Sequence, residues 1–147
     1  MYDFSGHHVL LARQQRISET MAQRITTELG DVSDIRVFLR RLTVIVLEEH
    51  QAIGDLELVR QINLAIVRHG GDSRLGIRQT AFGIALAAQI RRLQRTGIVR
   101  SGMSAFRLAD CMRLSFFGFL LNPHSSLETS RPQLAVLTRL LADALRA

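Results

Sequence analysis

Several residue types are scarce in this chain, and each scarcity excludes a class of protein. A single cysteine, Cys111, occurs in 147 residues, so neither a disulfide framework nor a cysteine-based zinc site is expected. No uncharged apolar run approaches the ~18 residues of a membrane span. The opening MYDFSGHH has neither the basic nor the apolar region of a secretory signal. The sequence therefore predicts a cytoplasmic protein without a membrane segment.

Lysine is absent, so all 19 basic residues are arginine, against 13 acidic residues, and the formal net charge is +6. Arginine suits bidentate contacts with anions, but codon usage in a GC-rich genome accounts for part of the bias. We interpret most of these arginines as a solvated face. The alternative is that the dense group of arginines between residues 91 and 113 forms a patch for an anionic effector or partner.

Proline is equally rare, and the two that occur lie near the C-terminus at Pro123 and Pro132. Apolar residues recur at spacings of three and four, without strand-like alternation, which predicts helices throughout. A hydrophobic content of 47% suffices for one core. We therefore expect one all-α domain of about six helices. Their predicted ranges are approximately 7–29, 33–50, 55–69, 73–96, 104–121 and 130–145.

Local signals mark several helix ends. Asp34, next to Ser33, and Ser104 are predicted N-caps because their side chains accept hydrogen bonds from the first turn. Gly30 and Gly97 are predicted stops, since glycine tolerates the left-handed backbone that closes a helix. The run AFGIALAA, residues 81–88, is apolar on every side. It predicts a helix surrounded by others.

The last two predicted helices carry more apolar surface than one small chain readily buries. Residues 115–121 read SFFGFLL, and leucines lie on more than one side of the final helix. We interpret this as a homodimer in which the two helices and their symmetry mates form a four-helix bundle. An ordinary internal core is the alternative. The predicted interface residues are Ser115, Gly118, Phe119, Leu137 and Leu141.

Two stretches carry a resemblance to the tetracycline-repressor (TetR) family of bacterial transcriptional regulators. Residues 2–11, YDFSGHHVLL, are similar to the Y-x-F-x-[ST]-K-x-x-L-L run that joins that family's DNA-recognition helix to its regulatory domain. The segment from Leu93 through TGIVRSGMSAFRLAD to SFFGFLL resembles the family's G-x-x-R hinge before the dimerising helix. The final LAVLTRLLADAL suits the family's C-terminal helix, and the helix order agrees along almost the whole chain.

The resemblance implies a ligand-responsive transcriptional regulator, acting as a repressor. An effector would shift the first helix and so change the spacing of two DNA-binding heads in a dimer. Residues 1–6 would be a remnant of the DNA-binding domain, and 7–147 the ligand-binding and dimerisation domain. The family's helix-turn-helix is missing from this sequence, and the resemblance implies that DNA would be bound only through that motif. Within this sequence, Tyr2 and His7 are the predicted DNA contacts. His7 stands where the family usually has lysine.

The resemblance also places an effector site among the second to fifth predicted helices. Its candidate residues are mainly apolar, which favours a small apolar or aromatic effector. They are Phe38, Leu42, Ile45, Ile62, Asn63, Ile66, Phe82, Leu86, Met112 and Phe116. Thr80, Gln89 and Ser115, like Asn63, are polar residues that could orient such a ligand. For every one of these residues, a place in an ordinary core or on the surface is the alternative.

Other chemistry finds little support in the sequence. Cys111 is predicted to be buried and inert. His50, after Glu48 and Glu49, is interpreted as part of a solvated helix end with a cationic ring. The five histidines form no pair with helical metal-site spacing, and no titratable groups converge, so we expect no metal, no cofactor and no enzyme. A helical protein-interaction module without a small ligand remains the alternative function.

Overall fold

The computed structural model describes residues 4–53, 57–58, 60–61, 64, 80–120 and 131–147. Helices dominate this part of the chain, and no strand occurs in it. The helices are α1 (Phe4–Leu29), α2 (Ile35–Gln51), α3 (Ala81–Arg95), α4 (Ala105–Leu120) and α5 (Arg131–Leu145). The predicted all-α class is therefore confirmed, with a helix number close to the expected six. None of the helices in the described ranges is long and apolar enough to cross a membrane.

Most helix bounds follow the apolar pattern, with two differences. α1 begins at Phe4 rather than at His7, so it runs across the predicted domain boundary between residues 6 and 7. α3 begins at Ala81, where the Thr80 hydroxyl caps it by accepting from the Gly83 N–H at 3.0 Å. The predicted third helix lies mostly outside the described residues, although those described between 57 and 64 are helical.

The predicted N-caps are confirmed by their hydrogen bonds. The Asp34 carboxylate accepts from the backbone N–H of Arg36 at 2.8 Å and of Val37 at 3.2 Å. These two bonds lower the pKa of Asp34. The Ser104 hydroxyl accepts from the Arg107 N–H at 3.2 Å. Each cap satisfies N–H groups that the first turn of a helix leaves unpaired.

The two predicted glycine stops end their helices differently. Gly97 has a φ of 76°, its N–H bonds to Gln94 O at 3.1 Å, and the Ile98 N–H bonds to Leu93 O at 2.9 Å. This is the Schellman pattern. The left-handed backbone predicted at Gly30 is wrong, because Gly97 alone has a positive φ among the described residues. At Gly30 a Cβ would lie 2.9 Å from Thr26 O, so close backbone approach is what requires glycine there.

α1 lies at the centre of the helix packing. It packs against α2 on one side and α3 on the other, α4 packs on α3, and α5 packs on α2. The main helix contacts therefore connect α4 to α3, α3 to α1, α1 to α2 and α2 to α5. The C-terminus of α5 returns to the α3–α4 loop, where the Arg100 N–H donates to Leu145 O at 2.8 Å. The inner faces of all five helices contribute to one apolar core.

The expectation that residues 81–88 are surrounded on every side is wrong. Phe82, Leu86 and Ala87 are buried, but the Ile84 side chain is 51% exposed and Ala88 is also exposed. Among the described helices, α3 packs mainly against α1 and α4. An all-apolar run therefore leaves one side of this helix open to solvent.

Candidate functional site

The described effector-site candidates converge in the core. They lie four or three residues apart on each helix, so they share one face. All of them belong to the same buried cluster. From α2 come Phe38, Leu42 and Ile45, from α3 come Phe82 and Leu86, and from α4 come Met112 and Phe116. The remaining candidates, Ile62, Asn63 and Ile66, lie outside the described residues.

Protein atoms enclose this cluster almost completely. Phe38, Leu42 and Leu86 are 0% exposed, and Phe82, the most exposed of the seven, is 7% exposed. No side chain among the seven is charged, so the cluster can recognise a guest only by shape and apolar contact. Burial to this extent fits a closed effector site and a packed core equally well.

The described polar candidates already have hydrogen-bond partners within the chain. Thr80 caps α3, as described above. The Gln89 side chain accepts from Arg92 Nε at 2.9 Å, and the Ser115 hydroxyl donates to Cys111 O at 2.9 Å. These bonds give each side chain a role within the fold.

α1 and α3 are tied together at both ends of their contact. At one end the buried Ser18 hydroxyl accepts from the Phe82 N–H at 2.9 Å. At the other end the Arg92 guanidinium donates to Val32 O at 2.7 Å and to Leu29 O at 3.1 Å. A cation at the C-terminus of α1 satisfies carbonyls there and stabilises the helix dipole. Both links join residues about sixty positions apart, and sequence reasoning missed them.

A cluster of charged side chains joins α1 to α2. The Arg24 guanidinium lies 2.6 Å from Glu28, 3.1 Å from Glu49 and 3.6 Å from Glu48. The hydrogen bond to Glu28 is the main reason that the pKa of Arg24 is raised above its usual value. Glu48 and Glu49 are therefore partners of α1. This contact could not be predicted from residue spacing, because it depends on how the two helices cross.

His50 is buried, and the prediction of a solvated, cationic ring is wrong. The ring is 3% exposed, its Nδ1 lies 2.7 Å from Val46 O, and Nε2 has no hydrogen-bond partner in the described structure. Burial lowers the pKa of His50. The ring is therefore neutral, with the proton on Nδ1. Its position four residues after Val46, on the apolar stripe of α2, was the signal that could have predicted burial.

Cys111 is exposed, which contradicts the prediction of a buried, inert thiol.

Several of the arginines between residues 91 and 113 have structural roles. Arg113 pairs with Asp110 at 2.9 Å, and Arg91 lies over the Phe106 ring at 4.9 Å from its centroid. Arg92 caps α1. Half of the arginines between residues 91 and 113 thus contact the protein itself.

The predicted dimer residues lie on the two outer helices. Gly118 is exposed, with no atom within 4 Å of where its Cβ would be. Ser115, Leu137 and Leu141 are half-buried, and Leu141 packs against the core. The side chain of Phe119 lies outside the described structure. Leu140, one of the leucines that the sequence places on more than one side of the final helix, is 62% exposed. Sequence reasoning missed two further exposed apolar side chains, Leu114 at 57% and Val136 at 54% exposure.

α4 packs on α3 and α5 packs on α2, and the two have few direct contacts with each other along their described lengths. A four-helix bundle would therefore have to bring them together through the partner copy.

Of the predicted DNA contacts, Tyr2 lies outside the described residues. His7 lies within α1, in its first turns, since the helix begins at Phe4.

The described structure also has a groove that the sequence did not predict, between α2 and α5, with a volume of about 390 Å³. Its walls come from Arg40, Thr43, Val44, Leu47, Glu48, Gln51, Arg131, Leu134, Ala135 and Thr138. Among the described residues, no group of three or more histidine, cysteine, aspartate or glutamate side chains is placed to hold a metal ion.

No known protein family, curated protein or solved structure matches this chain. The all-α fold, the buried apolar cluster and the central α1 therefore stand as the observations from which a function is argued.

Proposed function

We propose that this chain is the effector-binding and homodimerisation domain of a TetR-type transcriptional regulator, acting as a repressor. A small apolar or aromatic effector enters the buried cluster of α2, α3 and α4, and α1 carries the resulting shift towards the DNA-binding heads. The resemblance of residues 2–11 and of the segment that precedes α4 supports the family. The all-α architecture is compatible with it.

The observation that carries the proposal is the position of α1. This helix has 26 residues and is about 39 Å long. Ile17, Met21 and Ile25 lie in the core with the effector candidates, whereas Val9, nearer the N-terminus, is 61% exposed. One continuous helix therefore connects the interior to the end at which the DNA-binding domain would attach. A change in core packing can therefore move that end, because the helix is continuous and no hinge is needed.

The links at both ends of the α1–α3 contact make the coupling specific. Phe82, an effector candidate, is the residue whose N–H bonds to Ser18 on α1. A ligand that displaces the first turn of α3 must move Ser18 with it or break a buried hydrogen bond. The cost of leaving such a group unsatisfied is about 1–3 kcal/mol. That is enough to bias two conformations of a regulator.

Methionine methyl groups provide a test of effector binding. Met112 and Met21 are 1% and 3% exposed in the core, whereas Met103 is 41% exposed in the loop before α4. We would label methionine methyls with ¹³C and titrate the protein with 2-naphthol, a neutral aromatic probe. The expected result is a saturable shift of the Met112 resonance without a shift at Met103. Equal shifts at Met112 and Met103, or none at Met112, would count against an interior effector site.

The link to DNA requires a separate test. We expect the 147-residue chain to dimerise without binding operator DNA, because the proposal assigns these residues to effector binding and dimerisation. Sequencing the genomic DNA upstream of the Met1 codon should reveal an in-frame helix-turn-helix. Its absence there, or a specific gel shift of a DNA duplex by this chain, would contradict the proposed division of labour.

The exposed apolar side chains of α4 and α5 favour one alternative, a helical protein-interaction module without a small ligand. Leu42 and Leu86, at the centre of the proposed site, are 0% exposed. Under this alternative the cluster is a packed core, and the exposed apolar side chains of α4 and α5 would contact a protein partner. A Met112 resonance that no aromatic probe shifts, together with a dimer in solution, would favour it.

A further inference from the structure

We propose that the groove between α2 and α5 binds an aliphatic monocarboxylate, with the carboxylate at Arg40 and the chain lying over Val44, Leu47, Leu134 and Ala135. This site is distinct from the interior cluster and does not depend on the proposed regulatory function. Its volume of about 390 Å³ lies within the range of small-molecule sites.

The two walls of the groove are antiparallel helices. The C-terminal residues Arg146 and Ala147 line a cleft together with Asp34 and Ile35 at the start of α2. Arg131, at the start of α5, therefore lies towards Gln51 at the end of α2. Arg40 lies at the other end of the groove. From Arg40 to Gln51 the wall extends for about 16 Å, so the groove is long enough for an extended chain.

The middle of the groove is apolar. Val44 is 45% exposed there, although Leu134 beside it is 4% exposed. The hydroxyls of Thr43 and Thr138 are occupied, because each donates to its own helix at 2.8 Å, to Leu39 O and Leu134 O respectively. With those donors committed, the middle favours a methylene chain over a polar ligand.

The charges at the two ends differ, and this difference orients the ligand. Arg40 is exposed and has no acidic partner among the described residues. At the opposite end, Arg131 shares the groove wall with Glu48, one of three glutamates around Arg24. The Glu48 carboxylate disfavours a second carboxylate at the Arg131 end, whereas no acidic side chain lines the groove near Arg40, whose guanidinium attracts one. The carboxylate therefore binds at Arg40.

Calorimetry with octanoate, 1-octanol and acetate tests the proposal on the full chain. Octanoate should bind with one molecule per chain, 1-octanol several-fold more weakly, and acetate without measurable heat. Arg40→Gln should weaken octanoate binding about fivefold and leave 1-octanol unchanged. Arg41→Gln removes the same charge from an exposed neighbour outside the groove and should bind octanoate as the wild type does.

A steric pair of variants tests the location. Ala135 and Ala144 are both exposed on α5, but only Ala135 lines the groove. Ala135→Leu should weaken octanoate and 1-octanol binding alike, whereas Ala144→Leu should weaken neither. Circular dichroism confirms that the four variants fold.

Three outcomes would overturn the proposal. Equal losses in Arg40→Gln and Arg41→Gln would mean that net charge alone attracts the anion. An unaffected Ala135→Leu would mean that octanoate binds elsewhere. A shift of the Met112 methyl resonance by octanoate, without shifts at Val44 or Leu47, would place the ligand in the interior cluster and so support the proposed effector site instead.

Discussion

The Ser18 hydroxyl accepts a hydrogen bond from the Phe82 N–H at 2.9 Å, so a side chain of α1 completes the first turn of α3. Thr80, the local cap, satisfies Gly83 at 3.0 Å and leaves the Phe82 N–H to α1. The start of α3 is therefore specified by a residue 64 positions earlier in the chain.

Replacing Ser18 with alanine should destabilise the fold by about 1–3 kcal/mol, because it leaves a buried N–H without an acceptor. Thr20→Ala is the matched control. Its hydroxyl is exposed and bonds within its own helix, to Arg16 O at 3.0 Å, so its loss should cost under about 0.5 kcal/mol. Urea unfolding midpoints measure both. Equal shifts for the two variants would contradict the role given to Ser18.

Arg92→Met should destabilise the end of α1 by about 1–2 kcal/mol, because it removes charged donors from Leu29 O and Val32 O. Arg95→Met removes the same charge from an exposed position of α3 and should have little effect. Hydrogen exchange in residues 29–34 should accelerate in the first variant alone. If hydrogen exchange in this segment is as slow in both variants as in the wild type, Arg92 does not cap α1.

His50 should make stability depend on pH below about 7. Burial lowers its pKa from 6.5, so the unfolded chain takes up a proton that the folded chain resists. The unfolded state then binds more protons, and stability falls as the pH drops below 6.5. Asp34 and Glu28 also have lowered pKa values, but their ordinary values of 3.8 and 4.5 place their effects at lower pH.

An NMR titration checks this prediction directly. The His50 imidazole resonance should have a midpoint below 6.5, and His50→Gln should reduce the loss of stability as the pH falls below about 7. A midpoint at or above the ordinary value would show that the ring reaches water.

Gly118→Arg should raise the dissociation constant of the proposed dimer at least about tenfold, since it places a charge in an apolar interface. The side chain itself meets open space within the protomer, so folding should be unaffected. Gly102→Arg, at another exposed glycine with open space around it, is the control and should remain dimeric. Light scattering at micromolar concentration measures both. A monomeric wild-type chain would remove the dimer from the proposal.

Sequence pattern predicted the features that depend on neighbouring residues. The caps at Asp34 and Ser104 and the apolar stripe of α2 are correct because a helix turn brings together residues three and four apart. The descriptions of His50 and Cys111 were wrong because exposure depends on which helices pack nearby. Cys111 lies on an outer helix, whereas His50 continues a stripe that meets the core.

The polar links between helices were out of reach for a related reason. Arg24 and Arg92 find partners on other segments, and many arginines in the chain have the same local surroundings. The α2–α5 groove likewise depends on how closely two helices approach, which no spacing encodes. The burial of Phe38, Leu86 and the other described candidates was accessible, because they are apolar and periodic, whereas an effector site at this place is implied by the resemblance alone.

The central place of α1 has a consequence during synthesis. A ribosome completes α1 and α2 long before it makes α3, so the face carrying Ile17, Met21 and Ile25 is left without its main neighbour while the intervening residues are translated. Nascent chains with such surfaces aggregate readily. This polypeptide should therefore depend on a holding chaperone until α3 has emerged, and slowing translation between codons 51 and 81 should lower its yield.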